Sequence, residues 1–206
     1  MSTDRLQAEL LVTAARLVVD EGLEYGPAKQ RARKLIAQQG GIDATRLPLP
    51  DNDALEAEVF AHIELFCADT QAGELAQLRE VALVWMRRLA AFRPHLSGAV
   101  WRGTATRLND IHLELYCDDP KAAELALIDA GVRYEAASRP GPRGGQPVDV
   151  LGFSLPHAGL GQHVGVQLTI LDHDDLRGAL RADATGRTQR GDAAALQRLM
   201  ESHDER

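Results

Sequence analysis

The chain has 206 residues, of which 45% are hydrophobic and 26% charged, a composition typical of a globular protein. Its formal net charge of −7 argues against a protein that coats nucleic acid non-specifically, because such binding depends on neutralising phosphates. No stretch approaches the roughly 20 apolar residues that span a bilayer, and the first residues lack the regions of a signal peptide. We therefore expect a cytoplasmic protein with no membrane partner.

The first half of the chain shows helical periodicity. Apolar spacing predicts a helix over 4–21, which Gly22 ends. A second helix is predicted to begin at Pro27, a third to be capped by Asp53, and a fourth to cover 72–92. Residues 1–70 are therefore predicted to form a helical region.

Beyond residue 95 the period changes from 3.6 to 2. The predicted strands lie at 96–102, 110–117, 132–135, 148–155 and 164–171. Helices are predicted from Asp119 to Gly131, after an Asp172 cap, and after Gly191, and the composition of 138–147 is that of a loop. This order predicts an α+β fold, with a mixed β-sheet packed with helices over residues 71–206.

The two cysteines, Cys67 and Cys117, belong to no C-x-x-C pair, so neither a zinc knuckle nor a redox motif is indicated. Two free thiols in a reducing cytosol are the simpler interpretation, and a disulfide stays open. A homodimer is also left open, because Trp85 and Phe92 on the fourth helix suit either a core or an interface.

One stretch carries a polar row that could hold a ligand. Asp110, His112 and Glu114 alternate with apolar residues, so a strand would project all three from one face. The row follows a predicted turn at Gly103 and Thr104, which would join two strands and leave backbone N–H groups free. A half-exposed strand also alternates in this way, so the pattern alone does not separate a site from a solvated face.

The order of helix, strand, Gly-Thr turn, strand with Asp-x-His and later strand with a carboxylate resembles the nucleotidyltransferase fold. DNA polymerase β and the minimal nucleotidyltransferases share that fold. The resemblance implies that Gly103 and Thr104 bind the triphosphate of a nucleoside triphosphate. Arg102 and Arg107 flank this turn and suit phosphate, although arginines beside turns are usually just exposed.

The resemblance also assigns the metal and catalytic positions to Asp110, His112 and Asp149. Carboxylates on alternate strand positions would hold Mg²⁺ or Mn²⁺, and two such ions can stabilise the attacking and leaving oxygens. His112 stands where the family has a second carboxylate, and an imidazole suits Mn²⁺ better than Mg²⁺. Glu114, on the same face, is a further candidate metal ligand.

The function that the resemblance implies is metal-dependent transfer of a nucleoside monophosphate to an acceptor that the sequence does not identify. One alternative is a catalytically degenerate member that binds a nucleotide or a protein partner. A further alternative is a DNA-binding regulator, since residues 13–22 resemble the first helix of TetR-type regulators. The second predicted helix carries basic residues that suit either DNA or a solvated face: Lys29, Arg31, Arg33 and Lys34.

Overall fold

A computed structural model describes residues 3–141, 146–177, 180, 182 and 186–204. The chain divides into two compact units. The first consists of Met1–Ala72 with Thr104–Leu108, and the second of Gly73–Gly103 with Asn109–Arg206. Within the described residues, no helix is both long and apolar enough to cross a membrane.

The first unit is built on three helices, α1 (Thr3–Glu21), α2 (Tyr25–Gly40) and α3 (Asn52–Phe66). The N-cap of α3 is Asp51 rather than the predicted Asp53, because the Asp51 carboxylate accepts a hydrogen bond from the Ala54 amide at 2.7 Å. Aliphatic side chains from all three helices form the core, among them Leu10, Leu17, Ala32, Leu55 and Val59.

A short segment from the middle of the chain, residues 104–108, packs into this helical unit. Gln71 donates its side-chain amide to the Ala105 carbonyl at 2.8 Å, and the Thr106 hydroxyl lies 3.4 Å from the Val19 carbonyl. Burial of a segment requires such partners for its polar groups. The first three residues of the segment, Thr104 to Thr106, are therefore buried in the helical unit.

The second unit contains a six-stranded sheet with the order β3-β4-β5-β2-β1-β6. Its strands are β1 (His95–Ser97), β2 (Ile111–Tyr116), β3 (Glu135–Arg139), β4 (Val148–His157), β5 (Gln162–Leu171) and β6 (Arg190–Gly191). Its helices are α4 (Gln71–Arg88), which belongs to this unit from Gly73 onward, α5 (Gly98–Arg102), α6 (Pro120–Asp129) and α7 (Ala193–Asp204). Strands β2 and β5 run parallel and the other pairs antiparallel, which confirms the predicted α+β fold with a mixed sheet.

Two predicted strands were wrong in their bounds. The strand expected over 96–102 ends at Ser97, and the remainder is helix α5. Five residues are too few for periodicity to separate helix from strand. The strand expected over 132–135 lies at Glu135–Arg139, because residues 132–134 first lead away from the end of α6. Strand β3 therefore includes the first two residues of the loop predicted over 138–147. Residues 142–145 of that loop lie outside the described residues.

The sheet has one apolar and one polar face. Leu96, Leu113, Leu151 and Leu168 share the apolar face, because cross-strand partners project to the same side. Helix α4 packs on this face, where its Trp85 ring lies 4.6 Å from that of Phe153. The opposite face carries Asp110 and His112 and positions the candidate site.

The close approach of residue 108 to the end of α1 gives a test of the helical unit. Gly22 has φ +67°, and a Cβ there would lie 2.3 Å from the Leu108 carbonyl oxygen. Gly41 has a similar φ of +61°, but a Cβ there would meet nothing within 4 Å. We expect Gly41→Ala to lower the free energy of unfolding by about 1–2 kcal/mol through backbone strain alone. Gly22→Ala should lower it by roughly 2–5 kcal/mol, because overpacking adds to the strain.

Chemical denaturation of both variants measures the difference. Equal losses of stability would contradict the packing of residues 104–108 against α1.

Candidate functional site

Parallel pairing of β2 and β5 brings three polar side chains together. Ile111 is in register with Val166, and His112 with Gln167, so the side chains of His112 and Gln167 share a face. Asp110 lies just before β2, and its Oδ2 accepts a hydrogen bond from Nε2 of Gln167 at 2.7 Å. We call Asp110, His112 and Gln167 the Asp110 cluster.

The carboxylate of Asp110 lies directly against the backbone of β5. A Cβ on Gly165 would lie 2.0 Å from Oδ1 of Asp110, so only glycine leaves room for the carboxylate in this position. The Gln167 amide holds the other carboxylate oxygen. Asp110 is therefore fixed from two sides by β5.

A cavity of about 530 Å³ lies beside the Asp110 cluster. Its lining includes Asp110, Arg133, Glu135, Gly152, Ser154 and Gln167. Gly152 leaves open space, because a Cβ there would have only the Glu135 carbonyl oxygen near it, at 4.0 Å. The charged side chains of this lining are two carboxylates and one guanidinium, so the cavity carries a net negative charge.

Asp149, the predicted third metal ligand, is not brought to this cluster. Val150 is in register with Thr169 and Gly152 with Gln167, so Gly152 shares the face of the cluster and Asp149 points to the other. Asp149 is three positions before Gly152, which is about 10 Å along a strand. Asp149 lines a different cavity, of about 320 Å³.

Glu114, a further predicted metal ligand, takes part in a different interaction. It is buried, and its Oε2 accepts a hydrogen bond from the Tyr116 hydroxyl at 2.7 Å and pairs with the Arg190 guanidinium. Burial and the charge of Glu114 raise the pKa of Tyr116, so this phenol stays protonated and donates. The carboxylate of Glu114 thus ties β2 to β6.

The predicted phosphate-binding turn also has another role. Gly103, with φ +90°, ends α5 and donates its N–H to the Ala99 carbonyl at 2.9 Å, so this N–H is not free. Thr104 begins the segment that packs into the helical unit, where it is fully buried. Arg107 is exposed in the same segment, and Arg102 lies half-buried at the end of α5.

Behind Gly103 lies a buried arginine that the sequence did not indicate. Arg79 on α4 donates from Nε to the Val100 carbonyl at 3.2 Å, and Nη2 lies 3.5 Å from the Trp101 carbonyl. Burial lowers its pKa to about 10. A cation is stabilised by carbonyls at a helix C-terminus, so Arg79 supports the end of α5 and the conformation of Gly103.

The donor set does not fit the predicted pair of Mg²⁺ or Mn²⁺ ions. Among the described residues, no group of three His, Cys, Asp or Glu side chains could hold a metal ion. The Asp110 cluster supplies one carboxylate, one imidazole and one amide, and the amide already occupies a carboxylate oxygen. A two-metal site needs several converging carboxylates, so the predicted metal site is not assembled.

Sequence reasoning missed Gln167. The signal was present, because Gln167 is a polar residue between the apolar Val166 and Leu168 in a predicted strand. A search for carboxylates passes over a glutamine, and the pairing of β5 with β2 cannot be deduced from periodicity alone.

Comparisons with known proteins add one weak likeness. No protein-family model matches the chain, and no curated protein matches it. Among solved structures, the chain is similar to the Cid1 poly(U) polymerase with MgGTP bound, with a TM-score of 0.35 and 14% identity. The alignment covers 53% of this chain and 38% of that one, so the chain spans well under half of the polymerase's length. A likeness at this level carries no conclusion about activity, substrate or metal.

The contact between Asp110 and β5 is testable with two glycines on neighbouring strands. Gly165→Ala should lower the free energy of unfolding by about 1–3 kcal/mol, because the new methyl group displaces the Asp110 carboxylate. Gly152→Ala is the matched control, since its methyl group enters open space. We expect it to be neutral or to raise stability by up to about 1 kcal/mol. Equal effects in urea denaturation would contradict the position of Asp110.

Proposed function

We propose that this chain is a nucleotidyltransferase-like protein that binds a nucleotide at the Asp110 cluster without transferring its nucleoside monophosphate. The observation that carries the proposal is the hydrogen bond from Gln167 to Asp110. The partner of Asp110 is thus a neutral amide, whereas metal-dependent transfer would need further carboxylates beside it. The motif order that resembles nucleotidyltransferases supports a nucleotide as the ligand.

Transfer is the weaker hypothesis for a physical reason. Expulsion of pyrophosphate needs cations that stabilise both the attacking and the leaving oxygen. Of the four residues proposed to hold such cations, Asp149 points to the other face and Glu114 is paired with Arg190. Asp110 and His112 remain, and together they bring a single negative charge.

The cavity beside Asp110 has features that suit a nucleotide. Space over Gly152 would admit a flat ring. The carboxylates of Asp110 and Glu135 would accept hydrogen bonds from the N–H groups of a base. Arg133 would bind a phosphate, and its guanidinium has no hydrogen bond or ion pair within the described residues.

Calorimetric titration with nucleoside mono- and triphosphates tests the proposal. Asp110→Ala should weaken binding tenfold or more, which is about 1.4 kcal/mol. Asp149→Ala is the matched control, since it removes an exposed aspartate from the opposite face, and we expect unchanged affinity. Incubation with labelled triphosphates and Mg²⁺ or Mn²⁺ should yield no labelled acceptor.

Two results would overturn the proposal. Labelled product that disappears in Asp110→Ala would establish transfer, and absence of binding by every nucleotide would remove the ligand.

The DNA-binding alternative has less support from the helical unit. Arg31 pairs with Glu21, and Lys29 donates to the Pro50 carbonyl and the Asn52 side chain. These cations of α2 are thus engaged within the unit. Salt-sensitive binding to duplex DNA that Lys34→Ala weakens would favour this alternative instead.

A further inference from the structure

The hydrogen bond between Gln167 and Asp110 is a short one. Nε2 of Gln167 approaches Oδ2 of Asp110 at 2.7 Å, a short distance typical of hydrogen bonds to a charged acceptor. Amide hydrogens carry partial positive charge, and only the nitrogen of the amide can donate to a carboxylate. The carboxylate therefore has a fixed, partly positive partner supplied by the protein.

His112 and Gln167 lie side by side, because they are in register on strands about 4.8 Å apart. Both side chains are on the same face of the sheet as Asp110. The Gln167 amide donates to Oδ2 of Asp110, and Oδ1 lies against the backbone of Gly165, in space that a Cβ there would fill. A metal ion that chelated both oxygens of Asp110 would have to displace this hydrogen bond.

We infer that the Gln167 amide takes the place of a divalent cation at Asp110, so that this site binds its nucleotide without a metal ion. That the ligand is a nucleotide rests on the proposed function. That the Gln167 amide stands in place of a cation rests only on the contacts of Asp110.

The net negative charge of the cavity favours a nucleoside or a nucleoside monophosphate over a triphosphate as the ligand. Among the described residues that line the cavity, Asp110 and Glu135 are the carboxylates and Arg133 is the only cation. A triphosphate carries several negative charges that are normally neutralised by a divalent cation. Without that cation the carboxylates repel it, whereas a single phosphate can pair with Arg133.

Titration of the full-length chain with nucleoside monophosphates, in EDTA and again in MgCl₂, tests metal independence. We expect the two dissociation constants to agree within about twofold, and triphosphates to bind at least tenfold more weakly than monophosphates in EDTA, about 1.4 kcal/mol. Binding that needs Mg²⁺, or that Mg²⁺ tightens tenfold, would overturn the inference.

A second experiment follows MnCl₂ by the electron paramagnetic resonance signal of free Mn²⁺ and needs no nucleotide. Affinity of the native chain for Mn²⁺ should be the same in Asp110→Asn. Gln167→Glu should gain a site at least tenfold tighter, since it combines two carboxylates with His112. That gain should be lost when Asp110→Asn is added. Gln167→Met, which removes the amide without adding charge, should gain no site.

The outcomes separate the two proposals. Mn²⁺ affinity of the native chain that falls tenfold in Asp110→Asn, or a Gln167→Glu chain that folds and gains nothing, would overturn the role of the amide. Failure of every nucleotide to bind would overturn the proposed function. The Mn²⁺ titrations would then still test whether the Gln167 amide takes the place of a cation at Asp110. Thermal melting of each variant establishes that it is folded, and the EDTA titration uses the native chain.

Discussion

Everything at the candidate site depends on the parallel pairing of β2 with β5. A strand presents alternate residues to each face, so the register of one pair decides which side chains meet. Here the register sets Gln167 beside His112 and within hydrogen-bond distance of Asp110. The same alternation, carried through the pairing of β5 with β4, sends Asp149 to the opposite face. A shift of one residue in the register of β4 would bring Asp149 to the face of Asp110, and the same shift in β5 would carry Gln167 away from it.

The two carboxylates on this face of the sheet, Glu114 and Asp110, have different partners. A buried carboxylate is costly unless it is paired, and Glu114 is paired with Arg190 and hydrogen-bonded by Tyr116. Asp110 is only half-buried and has an amide rather than a cation as its partner. One face of the sheet thus holds a buried ion pair that fixes β6 and, beside a cavity, the half-buried carboxylate of Asp110. Because it lines the cavity, the Asp110 carboxylate is the group of the two that is suited to a ligand.

Much of the fold could be predicted from the sequence, because the helices before residue 90 and the strands at 110–117, 148–155 and 164–171 carry clear periods. The polar row of Asp110 and His112 could be predicted for the same reason. The partner of that row could not, because strand order is a long-range property that periodicity does not encode. Asp149 matched a motif by its flanking residues, yet a motif says nothing of which face a residue takes. Gly103 likewise matched a phosphate turn, but in the structure it ends a short helix.

The central claim is that an amide, and not a metal ion, accompanies Asp110. An anomalous difference map from crystals grown with MnCl₂ and a nucleoside monophosphate tests it most directly. We predict density for the nucleotide over Gly152, no anomalous peak at Asp110, and a Gln167 amide still bonded to the carboxylate. An anomalous peak between Asp110 and His112, with the Gln167 side chain turned away, would contradict the account.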